Sequence, residues 1–308
     1  MSYLHRIFRA PAPILTVMLA AALATSGCSI FKKATPPPAY QERPVEVLYA
    51  VAGAMLDTGD WPDAILYFRE VERQHPYSDW ARRAILMEAF AAYRQGDYDS
   101  AGSDADRFIQ LHPSDPGAPY AYYLKAMCFY DQIVDVGRDQ GETEQAQAAL
   151  NEVVRRFDAS DDPQARAYAV DAHLKLDRVD DHLAGKEMDV GRFYLRNGDT
   201  IAAIGRFQSV INRYQTTSHV PEALYRLVEA NVTLGVMPEA NRNAAILGRN
   251  FPGSNWYADA YALMTSRGEK PAVTPKGPRH LTNLFGLLPT KNDKLPHDPA
   301  KTPRPPGA

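Results

Sequence analysis

Only two cysteines, Cys28 and Cys128, occur in 308 residues, so no disulfide framework is expected to hold this chain together. There is no glycine-rich phosphate loop, no His-Glu-x-x-His pair and no Cys-x-x-Cys, and the eight histidines are scattered. Those absences remove the common signatures of nucleotide and metal chemistry, and no enzyme, cofactor or metal is expected. Charge of one sign is missing too: the net charge is −3, with 34 basic and 37 acidic side chains, a balance that gives no reason to expect nucleic acid as a partner. Long apolar runs are scarce. The longest lies at Ile14 to Leu23, too short for a permanent membrane span. Acidic residues are plentiful, but they fall where helices would expose them and read as solvating charge rather than paired catalytic carboxylates.

What the sequence does contain is a repeat. From Glu187 to Tyr214 it reads as two helices back to back. The first carries Met188, Gly191, Tyr194 and Leu195 at helical spacing, Asn197-Gly198-Asp199 breaks it, and Ala203, Phe207, Val210 and Ile211 repeat the spacing. Gly198 is free to take a positive φ. Small residues at Gly191 and Ala203 would let the helices approach closely, with Tyr194 and Phe207 filling the seam. Glycine, then alanine, then an aromatic at these offsets is the pattern of a tetratricopeptide (TPR) repeat. It recurs at Gly59-Asp60-Trp61, at Gly96-Asp97-Tyr98 and at Gly235. Gly59 and Gly96 stand 96 − 59 = 37 residues apart, as do Gly198 and Gly235 (235 − 198 = 37). A weaker unit uses Gly141, Ala146, Leu150 and Phe157. Its first helix, about Pro119 to Tyr130, lies too early, so an insertion is placed near Ile133–Gln140. The expected fold class is therefore all-α, a superhelical TPR solenoid of about five helix-turn-helix repeats over 45–268.

The segments outside the solenoid differ in character. Arg6 and Arg9, the apolar run, then Ser26-Gly27-Cys28 make residues 1–27 a processing segment. Small residues before a cysteine resemble the lipobox of bacterial lipoproteins, although Thr25 stands where leucine is usual. That resemblance implies cleavage before Cys28 and diacylglycerol and N-acyl chains on it. Ser29 after it fits release to the outer membrane, and several acyl chains would anchor the protein stably at its periplasmic face. Residues 28–44 form a proline-rich tether. Cys128, among Ala126, Met127 and Phe129, reads as a buried small hydrophobe. Residues 269–308 are basic and proline-rich, with one apolar island at His280 to Leu288. Such a segment cannot bury enough surface to fold alone.

Helix phase assigns the inner groove. In the first three units it holds Tyr49, Arg83, Phe90, Tyr93, Tyr120, Tyr123 and Tyr130. Aromatic area with polar tips suits a peptide groove, and Arg83 suits a carboxylate. The expectation is an extended peptide with aromatic side chains, held by its C-terminus. The last two units are instead charged, with Arg192, Arg196 and Arg206 among mixed signs, a surface able to dock a folded partner.

Leu48-Tyr49-Ala50 with Gly59-Asp60-Trp61, Arg107-Phe108-Ile109 with His112-Pro113, Glu187 to Tyr214, and Glu222-Ala223-Leu224 with Asn250-Phe251-Pro252 follow in one order behind the lipobox. In that order they resemble the BamD family, the TPR lipoproteins of the outer-membrane β-barrel assembly machinery. The resemblance covers about residues 45–262. It implies that the N-terminal units recognise the C-terminal signals of unfolded outer-membrane proteins. It also implies that the C-terminal units dock the barrel subunit BamA, with other lipoproteins of the complex as further partners. Arg206 occupies the family's arginine position on the second helix of unit four and is the expected coupling residue, with Arg192 and Arg196 behind it. The tail has no counterpart in the shorter family members. The alternative open at this point is a periplasmic TPR lipoprotein that coordinates cell-wall synthesis or envelope division.

Overall fold

The computed structural model describes residues 43–271. Cys28, the processing segment and most of the tether and tail lie outside them. The described residues form eleven helices: α1 (Val45–Thr58), α2 (Trp61–Gln74), α3 (Asp79–Gln95), α4 (Tyr98–Leu111), α5 (Ala118–Tyr130), α6 (Gly141–Phe157), α7 (Pro163–Arg196), α8 (Thr200–Arg213), α9 (Val220–Thr233), α10 (Met237–Asn250) and α11 (Asn255–Ser266). Each but the last packs chiefly on its neighbours in sequence, and α11 lies mainly on α9, the arrangement of a TPR solenoid. No described helix is long and apolar enough to cross a membrane.

The repeat turns follow from their residues. Gly59, Gly96, Gly198 and Gly235 all sit at positive φ, between 74° and 86°, where a side chain would be strained. Asp60 and Asp97 cap the helices that follow by accepting from the backbone N–H of Asp63 and Ser100. Each second helix then buries one stripe: Ala64, Phe68 and Val71 in α2, Ala101, Ala105 and Phe108 in α4, Ala203, Phe207 and Val210 in α8. Gly191 was expected to admit a close neighbour. A Cβ placed on it would lie 2.5 Å from the Phe207 ring, so the aromatic occupies the space that glycine leaves.

The third unit departs from a plain repeat. Its first helix ends at Tyr130 and its second begins at Gly141, and the inserted loop between them docks on α7, whose Lys186 Nζ reaches the carbonyl of Arg138 at 3.2 Å. The larger departure is α7. Sequence reading starts a helix near Glu187, whereas α7 begins at Pro163 and runs for 34 residues. Asp162 caps it, accepting from the N–H of Gln164 and Ala165, and Pro163 stands at the position where a missing N–H is harmless. Ala165, Tyr168, Ala169, Ala172, Leu176, Val179 and Leu183 then bury one continuous face with no helix breaker among them.

Candidate peptide and partner surfaces

The extra turns of α7 change the expected groove. Phe90, Tyr93 and Tyr120 are 0% exposed, Tyr130 2% and Tyr123 3%. These five residues are core, not groove lining, which corrects the expectation from helix phase. For Tyr120, Tyr123 and Tyr130 the reason is the chain's own helix α7. Tyr168 of α7 stacks on Tyr123 with ring centroids 5.0 Å apart and lies 5.8 Å from Tyr120. The Tyr123 hydroxyl donates to Asp171 Oδ2 at 2.6 Å. Lys175 pairs with Asp171 and places its ammonium 5.8 Å and 5.7 Å from the rings of Tyr123 and Tyr130. Farther along, the Tyr93 hydroxyl donates to Asp131. Burial and the Asp171 carboxylate push the Tyr123 phenol far above its ordinary range. Burial does the same to the Cys128 thiol, which is 1% exposed, as expected of a small hydrophobe.

Tyr49 and Arg83 remain outside that plug. Arg83 is exposed and Tyr49 half-buried. Between them stands Trp80, which helix phase passed over. Its ring lies 4.8 Å from that of Tyr49 and 5.7 Å from the Arg83 guanidinium carbon. Behind Tyr49 is Phe68, at 5.4 Å and edge-on. The Tyr49 hydroxyl is shielded from water and has no hydrogen-bond partner among the described residues, and burial raises its pKa against the pull of Arg83. Arg83 makes no ion pair with a described residue. The patch therefore offers an aromatic wall beside an exposed guanidinium that has no counter-ion among the described residues, an arrangement matched to an aromatic residue carrying a carboxylate. A signal for Trp80 was available: it stands three residues before Arg83 on α3, close enough for the two to meet on one face.

The three arginines of the later units have different surroundings. Arg192 is committed internally: it pairs with Asp189 on α7 and bridges to Glu222 on α9 at 3.0 Å. Glu222 in turn meets Arg226, which reaches Glu229 at 2.9 Å. With a side chain only 17% exposed, Arg192 ties two repeats together, and that corrects its place among the free docking residues. Arg206 on α8 is open, 45% exposed, and meets Glu187 at 3.3 Å. Arg196 is exposed at the end of α7 and borders a shallow pocket with Asp189, Val190, Phe193 and Tyr194. Phe193 and Ile201 are 52% and 78% exposed. Glu187 and Arg196 are nine residues apart on one helix, two and a half turns, so Arg206 and Arg196 flank α7 from opposite sides.

Comparison with known proteins agrees with this architecture. A model of the family YfiO, described as outer membrane lipoprotein, matches residues 41–247. A protein of Caulobacter vibrioides named outer membrane protein assembly factor BamD is 56% identical over 271 residues, spanning 88% of this chain and 86% of its own length. The protein of that name from Rickettsia prowazekii is 39% identical over 82% of this chain and 96% of its own length. Among solved structures, the TPR domain of P58(IPK) aligns over 71% of this chain and 55% of its own at 15% identity. Its TM-score of 0.35 is too low to add to the helix order itself. By the extent of the family match and the identity to these relatives, the chain belongs to the BamD family of outer membrane lipoproteins.

Proposed function

We propose that this protein is an outer membrane protein assembly factor that works as a lipid-anchored periplasmic adaptor. Acyl chains on Cys28 hold it to the membrane, the first two units take the C-terminal signal of an unfolded client, and the last units dock a BamA-like barrel protein. The family membership supports the assembly role. The observation that carries client recognition is the Tyr49–Trp80–Arg83 patch, whose guanidinium has no counter-ion among the described residues. A chain ending in an aromatic residue presents an apolar ring and a carboxylate together. The ring stacks on Trp80 and the carboxylate reaches the exposed Arg83. Arg206, open on α8, supplies the docking side. Nothing in this scheme consumes a nucleotide. Client transfer would rest on differing affinities for client and partner states.

The test is a titration with a fluorescent ten-residue peptide ending in phenylalanine, as the free acid and as the C-terminal amide. The free acid is expected to bind at least tenfold more tightly, and Arg83→Glu or Trp80→Ala to remove that preference with helicity unchanged. Equal affinity for acid and amide in the wild type would remove the patch from the scheme.

A further inference from the structure

The four turn glycines share a conformation but not their neighbours. Gly59 is flanked by Thr58 and Asp60, Gly96 by Gln95 and Asp97, Gly198 by Asn197 and Asp199. Gly235 alone among them is flanked by apolar residues, Leu234 and Val236, and these are 44% and 40% exposed. Val236 stands at the N-cap of α10, where a side chain that accepts from the backbone is strongly preferred, and it supplies no such bond. The last turn thus gives up both a polar surface and a cap. That exchange fits a site that another apolar surface covers.

The chain itself passes beside this turn on its way out of the described structure. Gly268 repeats the positive-φ turn at 83°. Glu269 then does not begin another described helix but accepts from the Asn241 side chain at 3.0 Å. Asn241 is five residues beyond Val236 on α10, about 7.5 Å along the axis. The segment after Pro271 therefore leaves close to Leu234 and Val236. Ten residues later come Leu281, Leu284, Phe285 and Leu288, at the i, i+3, i+4, i+7 spacing of one helical face. Ten residues of linker reach up to about 33 Å, ample for that face to return to the turn.

We propose that residues 281–288 bind back onto the Leu234–Val236 turn as an intramolecular cap on the last repeat. The occupant is this chain's own tail because the tail is anchored beside the patch by Glu269 and carries the one apolar island beyond the described residues on that side. Tethering makes the local concentration of the island high, on the order of millimolar, so a weak contact suffices.

Hydrogen–deuterium exchange on the full chain in dodecyl maltoside tests this in both directions. Leu284→Asp with Phe285→Asp is expected to speed exchange at residues 234–241 several-fold. Val236→Asp, which restores the aspartate that the other three turns carry and so preserves the fold, is expected to speed exchange across 281–288. No change in either direction overturns the proposal. So does protection that grows with protein concentration, which would make the occupant a second copy. Protection of 281–288 that arises only with phosphatidylglycerol–phosphatidylethanolamine vesicles would make the tail a lipid-binding segment and overturn it equally.

Discussion

Glu88 shows what a single carboxylate does inside a repeat. Its side chain is 2% exposed on α3, between Arg69 of α2 and Arg107 of α4, and Arg107 also meets Glu72 and Asp104. Burial first, then the nearby Asp104 carboxylate, pushes Glu88 up to about 7 despite both arginines. Burial also pushes Asp131 up to about 6. An unfolded glutamate titrates near 4.3. Between about 4.5 and 7 the folded chain therefore binds more protons than the unfolded one at these sites, and their contribution to stability falls as pH rises through that window. Urea midpoints at pH 5, 6 and 7.5 are expected to fall for the wild type and to fall less for Glu88→Gln. A slope unchanged by the substitution would show that Glu88 is ionised throughout. Close approach gives a second expectation. Gly191→Ala places a methyl 2.5 Å from the Phe207 ring in a filled seam and should lower stability by about 1–3 kcal/mol, read by thermal or urea unfolding. An unaffected midpoint would mean that the ring moves aside freely.

At the scale of the element, α7 governs what the first three units can bind. Its N-terminal half lies against α5 through Tyr168, Asp171 and Lys175, so the tyrosines there hold the helix. Tyr123→Ala removes a buried ring, its stack and its bond to Asp171. It is expected to lower stability by about 3–5 kcal/mol and to speed exchange of α7 near residues 165–180. Weakened peptide binding without a loss of stability would instead restore Tyr123 to a groove. The contrast shows how far the sequence could be read. Turn glycines, small residues and seam aromatics lie within one helix pair of their partners, so spacing alone placed Gly191 against Phe207. Tyr123 and Tyr168 are 45 residues apart, across an inserted loop and a whole helix. Helix phase put Tyr123 on the inner side of α5 but carried no information about what covers that side. The same limit applied to Arg192, whose partner Glu222 belongs to the next unit, and to Trp80, which only the packing of α1 on α3 brings beside Tyr49.

For the whole molecule, the two surfaces are far apart in sequence. Tyr49, Trp80 and Arg83 belong to the first two units; Arg206 belongs to the fourth. The helices between them pack neighbour on neighbour, a continuous scaffold between the proposed client and docking surfaces. Family membership places the chain among outer membrane assembly factors and gives no support to the cell-wall scaffold considered from sequence. The measurement that tests the adaptor reading most directly is affinity purification of the full chain from detergent-solubilised envelopes, comparing wild type with Arg206→Glu. The account predicts that a BamA-like barrel protein accompanies the wild type and is depleted at least tenfold with the variant, while circular dichroism shows both equally helical. A barrel protein bound equally by both would move the docking surface away from Arg206, and a wild type that carries no barrel protein would contradict the account.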